Sequence, residues 1–265
     1  MALTALIAKI SAPIISIRHS ETFQIAATLP VPQPSTLVGA LAYCLGTFTG
    51  IGLDAMEQIG KKIIAARAKL LSEIAIIAPI ILRRFRILDK GLEGKTGEKP
   101  FQKACENLRK GNFNEFRRIL ESELTDALYR EHLSQASFKC IWIVKEPMDN
   151  KLLYLLQRLG DTESLITVTE TWTSECTPEK VDTFSTDYPF PAERKNLIEI
   201  SGDFSLMKMC DETGEKRMFY IPCKKRIGIA RDGSKYFAYT PTKINARFKG
   251  GTEILLADEE VIMKG

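Results

Sequence analysis

The chain is poor in the residues from which catalytic and metal sites are usually assembled. Among 265 residues there are only two histidines, His19 and His132. Neither stands beside an obvious nucleophile, so no Ser-His-Asp or Cys-His arrangement can be put together. The six cysteines, Cys44, Cys105, Cys140, Cys176, Cys210 and Cys223, are scattered with no CxxC pair, which argues against a zinc site. Cys44 and Cys140 lie in the apolar runs LVGALAYCLG and FKCIWIV, where a reduced thiol behaves as a small hydrophobe. A reducing cytoplasm fits this usage, and no metal or cofactor is expected. Long apolar runs are also missing: IAIIAPIIL is closed by Glu73 and Arg83, far below the roughly eighteen residues a membrane helix needs. The start, MALTALIAKISAPIISI, carries Lys9 and no cleavage-site pattern, so it reads as a strand rather than a signal peptide.

What is present is an ordinary globular composition, 45% hydrophobic and 26% charged, which excludes wholesale disorder or a fibrous design. The net charge is only +4, but it is unevenly placed. Arg83 to Arg118 holds 11 Lys/Arg against 5 Asp/Glu, and Lys224 to Lys249 holds 8 against 1. Two concentrated basic segments on an acidic remainder suit either a binder of phosphate backbone or a solvated surface.

Periodicity predicts a buried strand at Leu3 to Ser11 and a strand-like piece at Ile14 to Arg18. Three prolines in LPVPQPST then force extended backbone, with Ser35 as the natural cap of a short apolar helix over 35 to 46. A second, amphipathic helix runs from a cap at Asp54 through Leu71, leaving Lys61, Lys62, Arg67 and Lys69 outside. Ile74 to Leu88 reads as a strand broken at Pro79, followed by a loop at Gly91, Gly94 and Gly97. Residues 101 to 133 recover helical spacing around a Gly111-Asn112 break. A strand at Ser137 to Lys145, a helix at Asn150 to Leu159 capped by Asp149 or Asn150, and a β-rich run from Ser164 to Thr173 complete the pattern. The order is that of an α+β, ferredoxin-like (RNA-recognition-type) βαββαβ unit with a helical insertion. From Cys176 onward short strands alternate with turn residues. The expected domains are 1–175, a ferredoxin-like core with an insertion at about 90–136, and 176–265, a β-rich C-terminal subdomain.

LEGKTGEK is not a phosphate loop, because Asp89 stands where its first glycine is required. The PQPST-helix junction offers unpaired amides that can receive an anion, and Gly39 would admit a close backbone; ordinary capping explains the same residues. On a strand, Arg84 and Arg86 of RRFR share one face, with Arg83 on the other, and can follow a phosphate chain. Lys224, Lys225 and Arg226, then Lys243, Arg247 and Lys249, could continue that surface. Phe85, Tyr236, Phe237, Tyr239 and Phe248 are candidates for base stacking, although most of them are expected in the core. Arg18 and His19 could also face RNA. His132 is expected at the surface or core edge of the helical insertion.

PVPQPSTLVGALAY, followed by IILRRFRIL and then RLGDTESLITV, resembles the fifth Cas family of CRISPR-associated proteins, most nearly its archaeal type I-A branch. The resemblance covers roughly residues 1 to 175. It implies a ferredoxin-like core with an inserted thumb, and a non-catalytic role in a Cascade-type interference complex. There the subunit would bind the 5′ handle of CRISPR RNA and cap the backbone filament. The implied protein partners are the backbone subunit of the seventh Cas family and the large subunit, with target DNA met only indirectly and no membrane. Ser35, Thr36 and Gly39 fall in the family's proline-serine-glycine motif, and Gly160 and Glu163 in its second motif. One branch of the family is an endoribonuclease using a tyrosine, a lysine and a histidine. Tyr43 lies near that tyrosine's place, but no Lys-His pair follows, so processing of precursor CRISPR RNA is the alternative. A protein scaffold without RNA contact is the third reading.

Overall fold

A computed structural model describes residues 3–19, 25–85, 99–161 and 164–264. The chain forms two compact units, residues 1–78 with 131–265, and residues 79–130. The strands are β1 (Leu3–Ile15), β2 (Ile25–Ala26), β3 (Ile63–Leu70), β4 (Ala75–Phe85), β5 (Thr125–Val144), β6 (Thr167–Thr186), β7 (Phe190–Pro191), β8 (Leu197–Ser201) and β9 (Ser205–Cys210). The C-terminal ones are β10 (Lys216–Ile221), β11 (Cys223–Ile229), β12 (Lys235–Pro241), β13 (Ile244–Ala257) and β14 (Glu260–Met263). The helices are α1 (Pro34–Thr49), α2 (Asp54–Lys62), α3 (Pro100–Arg109) and α4 (Phe113–Ser122).

The heart of the first unit is a four-stranded antiparallel ladder in spatial order β6-β1-β5-β3. Counting only these strands along the chain, that is order 4-1-3-2, which together with α1 after the first strand is the ferredoxin-like arrangement. A single 3-10 turn, Asn150–Leu155, takes the place of the second helix. Its cap is Asp149, whose carboxylate accepts from the Lys151 amide at 2.9 Å.

α1 packs on one face of this sheet because Leu37, Leu41 and Cys44 recur at helical spacing and all are buried. Trp142 of β5, fully buried, donates its indole N–H to the Leu37 carbonyl at 2.8 Å. The helix begins one residue earlier than expected, so Ser35 is not its cap. Pro34 takes the first helical position, which needs no N–H, and Gln33 precedes it with its side chain accepting from the Cys210 amide at 3.0 Å.

Three further expectations change. The second helix stops at Lys62, and Ile63–Leu70 is a strand. Its residues Ala65, Ala66, Arg67 and Ala68 are all buried because β3 is covered on both faces, and two apolar faces of a strand mimic helical spacing. The end of the predicted 101–133 helical stretch is likewise strand, since β5 begins at Thr125 and, from Leu133 opposite Ile15 onward, pairs with β1. The expected boundary at 175/176 falls inside β6, which pairs with β1 before it and β13 after it, so 176–265 is not set apart from the core. Strand β4 runs through Pro79 without a break. The expected loop at Gly91, Gly94 and Gly97 lies outside the described residues.

Residues 79–130 hold the insertion, which begins and ends earlier than the expected 90–136. There α3 and α4, separated at Gly111 with φ +74°, pack around Ala104, Ile119 and Leu124. In the first unit β13 carries the sheet onward from β6 to β14 and β8, β12 and β11 extend it past β4, and β7, β10 and β9 form a second small sheet. The six cysteines are unpaired. Burial pushes the Cys44 and Cys223 thiols up to about 12 and Cys176 up to about 11, so they pack as neutral side chains. Among the described residues no helix is long and apolar enough to cross a membrane.

The sheet face opposite α1 is closed by the β13–β14 turn. Asp258 and Glu259, at φ 54° and 61°, form a two-residue hairpin turn of the type that matches strand twist. The turn brings carboxylates over Lys69 and Lys139, which the sequence could not mark as interior. Lys139 Nζ meets Asp258 at 2.6 Å and Glu260 at 2.9 Å, Lys69 also pairs with Glu260, and the Tyr188 hydroxyl donates to Glu260 at 2.5 Å. Burial pushes the Asp258 and Glu260 carboxyls up. The hydrogen bonds from Lys139 and Trp172 to the one, and from Lys69, Tyr188 and Lys139 to the other, outweigh burial and hold both below the usual range. Trp172 lies under Lys9 and Lys139, each 5.4 Å from its ring centroid, and donates to Asp258 at 3.2 Å.

Breaking this cluster tests its weight. Glu260→Ala removes the carboxylate shared by two largely buried lysines, leaving Lys139 with Asp258 and Lys69 with Asp187, and is expected to cost about 2–4 kcal/mol at neutral pH, read as a lower urea midpoint. A depressed folded-state pKa means stability that is present above the unfolded value near 4 and drains as pH falls through the folded one. The variant's deficit should therefore shrink between pH 5 and pH 3; a deficit independent of pH would contradict the assignment.

Candidate nucleic-acid interface

Helical spacing puts Thr36, Gly39, Ala40 and Tyr43 on one side of α1, away from the Trp142 contact. Facing them is the segment Leu156 to Gly160, and the two walls enclose a cleft of about 480 Å³. Gly39 opens onto it: a Cβ placed there meets no atom within 4 Å. Gly46, three residues beyond Tyr43, is the opposite case, since its Cβ would come 2.8 Å from the Gly52 carbonyl and it serves close packing. Tyr43 is half exposed and forms a ridge between this cleft and a more apolar hollow of about 520 Å³ lined by Gly46, Leu53 and Met56 among others.

The second wall is stapled to the end of β1. The Ser16 amide donates to Ser164 Oγ at 2.9 Å, the Ser164 hydroxyl returns to the Ser16 carbonyl at 3.3 Å, and the Asp161 amide donates to the same carbonyl at 3.2 Å. Gly160 sits at φ +96°, and a Cβ there would lie 2.6 Å from the Ser16 carbonyl oxygen. This close approach explains the glycine in RLGD on physical grounds.

The cleft suits an anionic, planar ligand. The first turn of α1 has no acidic residue and no side-chain cap, so the amides of Ser35 and Thr36 and the helix dipole favour negative charge at that end. Arg158 is exposed on the facing wall, with no carboxylate in ion-pair range among the described residues. The resemblance pointed to Thr36, Gly39 and Gly160, and the structure brings all three to one cleft; Ser35 stands at its N-terminal edge. Arg158 was missed, because a single arginine in a neutral stretch does not register in a count of charge windows, although it belongs to the same RLGD string.

The other expected residues lie elsewhere. Arg18 is exposed and bridges backbone to backbone with Thr28, while the His19 amide donates to the Ala27 carbonyl at 3.0 Å; neither lines the cleft. Arg83 and Arg84 are backbone positions of β4, and Arg86 and Glu163 lie outside the described residues. Lys224, Lys225 and Arg226 are exposed on β11 and do not line the cleft; Lys224 is held by Asp203 at 2.9 Å. His132 is buried on β5, not at the surface of a helix, because that segment is strand. Tyr239 and Phe248 are core, as expected, whereas Phe237 is 48% exposed. Among the described residues no group of three His, Cys, Asp or Glu side chains could hold a metal ion.

Comparison with known proteins agrees with this architecture. Residues 5–107 match the family described as CRISPR-associated protein (Cas_Cas5). The chain is 22% identical over 237 residues to the CRISPR-associated protein Cas5 of Thermoproteus tenax, covering 84% of this chain and 86% of that one. It is 28% identical over 195 residues to the CRISPR-associated protein Cas5 of Methanocaldococcus jannaschii, covering 68% of each. In fold it resembles the crystal structure of a CRISPR protein from Archaeoglobus fulgidus, with a TM-score of 0.56, 18% identity and 99% of both chains covered.

The two glycines of the cleft should behave oppositely. Gly160→Ala is expected to cost about 2–3 kcal/mol through strain and the clash with Ser16. Gly39→Ala, in open space on a helix, should leave stability unchanged or raise it by up to about 1 kcal/mol. Chemical denaturation of both variants checks this, and equal losses would contradict the packing described.

Proposed function

Because the chain belongs to the Cas5 family of CRISPR-associated proteins, we propose that it is a non-catalytic subunit of a type I-A CRISPR interference complex. In that complex it holds the 5′ handle of the CRISPR RNA and caps one end of the backbone filament. The observation that carries this reading is the cleft between α1 and the Leu156–Gly160 wall. It combines free helix-terminal amides, an exposed arginine with no carboxylate in ion-pair range among the described residues, and a half-exposed tyrosine in a volume suited to a splayed nucleotide. The opposite sheet face is where an RNA-recognition-type module would stack bases. Here the Asp258-Glu259 turn and the Lys139 and Lys69 ion pairs occupy it, which favours the α1 side as the place where RNA is held.

The alternative, a metal-independent endoribonuclease, would need a base beside Tyr43 and a cation beside the leaving oxygen. Arg158 could supply the cation, but neither His19 nor His132 lines the cleft. This favours holding over cutting. Contacts with the seventh-family backbone subunit and the large subunit complete the proposal.

Binding of a labelled repeat RNA, followed by fluorescence anisotropy across a salt series, tests the site. Tyr43→Ala should weaken binding by about 1–3 kcal/mol through lost stacking. Arg158→Gln should make the salt dependence shallower by about 0.7 in log-log slope. Gly39→Ala should weaken binding although the fold tolerates it. Unchanged affinity in all three sinks the cleft as the RNA site. Cleavage of the repeat RNA in chelator, lost on Tyr43→Phe, would replace the holder with the nuclease.

A further inference from the structure

The Lys224–Arg226 cluster is a basic segment that the cleft does not absorb. It lies on the hairpin β11–β12, whose outer strand β11 ends the large sheet. Alternation puts Lys225, Ile227 and Ile229 on one face and Lys224, Arg226 and Gly228 on the other. On the first face Lys225 Nζ lies 4.9 Å from the Phe237 ring centroid. Phe237, Ile227 and Ile229 are 48%, 63% and 71% exposed there. On the second face Tyr236 packs against the backbone of its cross-strand partner Gly228. A Cβ at 228 would come 2.2 Å from that ring, so glycine is what lets it lie against the strand.

Most of the charge of this arm is uncompensated among the described residues. Asp203 neutralises Lys224 at 2.9 Å. Among the described residues no carboxylate stands in ion-pair range of Lys225, Arg226, Arg231 or Lys235. The arm's single acid, Asp232, is committed to its turn, where it accepts from the Ser234 amide at 3.0 Å and the Ser234 hydroxyl at 2.7 Å. Four free cations beside two aromatic rings suit a flexible polyanion whose planar groups stack. Hydroxyls that could read a sugar are scarce: Thr240 Oγ1 donates to the Lys224 carbonyl at 3.4 Å, and Ser234 is held in the turn.

We propose that the β11–β12 hairpin is a second nucleic-acid site, separate from the α1 cleft, that takes single-stranded nucleic acid by stacking bases on Phe237 and tracking phosphates with Lys225 and Lys235 on the same face and with Arg231 in the turn. It accepts DNA and RNA alike, because nothing on the arm distinguishes the sugar.

The test uses the full chain with labelled 12-nucleotide oligo-dT and oligo-rU, read by anisotropy at several salt concentrations. Phe237→Ala should weaken both by at least about fivefold, and Phe237→Trp should restore them. Lys225→Gln with Arg231→Gln should make the salt slope shallower by about 1.4. The cleft variant Tyr43→Ala should leave oligo-dT affinity intact while losing repeat RNA, so failure of the hairpin and failure of the cleft are told apart. Unchanged binding in Phe237→Ala overturns the proposal and leaves the Ile227, Ile229 and Phe237 face to a protein contact. Loss of oligo-dT on Tyr43→Ala alone, or binding of oligo-rU without oligo-dT, overturns it as well.

Discussion

The hydrogen bond from the buried Trp142 indole to the Leu37 carbonyl is the contact on which the cleft depends. An indole N–H enclosed in an apolar core must find an acceptor or cost its full desolvation. Here the acceptor is a carbonyl in the first turn of α1, so the same bond sets both the position and the rotation of the helix on the sheet. With Leu37, Leu41 and Cys44 turned inward, Thr36, Gly39 and Tyr43 have no alternative but to face the Leu156–Gly160 wall. That wall is fixed independently by the Ser16–Ser164 bonds and the close approach at Gly160. Two rigid attachments to the central ladder thus preform a site whose ligand-facing groups are themselves unconstrained.

Charge is divided by the same sheet. On its inner face Arg67, Lys69 and Lys139 are ionised but enclosed, each matched to a carboxylate brought from the C-terminal half, including Glu212 for Arg67. These cations are consumed in holding the C-terminal strands to the core and offer nothing to a polyanion. Arg158 at the cleft and Lys225, Arg226, Arg231 and Lys235 on the β11–β12 arm, by contrast, have no acid in ion-pair range among the described residues. Net charge is therefore a poor guide to this molecule, and pairing decides which positive residues can act.

The ferredoxin-like order, the apolar helix after the three prolines and the Gly111 break were legible in the sequence. Each rests on local chemistry: alternation, helical spacing, proline and glycine conformation. The two helix errors come from spacing. Ile63–Leu70 reads as helix because a strand buried on both faces carries apolar residues at positions that also satisfy a 3.6-residue period, and Thr125–Leu133 because Leu128 continues the Phe116, Leu120, Leu124 spacing of the helix before it. Only their strand neighbours, β5 for the one and β4 for the other, exclude the helix. Ser35 was mistaken for the cap because Gln33 is engaged by Cys210, a residue more than 170 positions away.

By itself, then, the sequence determined the class of fold, the prolines and glycines that shape the α1 entry and the RLGD turn, and the basic character of the hairpin, since all of these are set within a few residues. Only the tertiary structure decided that Thr36, Gly39, Tyr43 and Arg158 share one cleft, that Lys69, Arg67 and Lys139 are spent inside, and that Phe237 faces outward. Those outcomes depend on pairings across more than a hundred residues of chain, between strands and turns whose meeting no local period encodes.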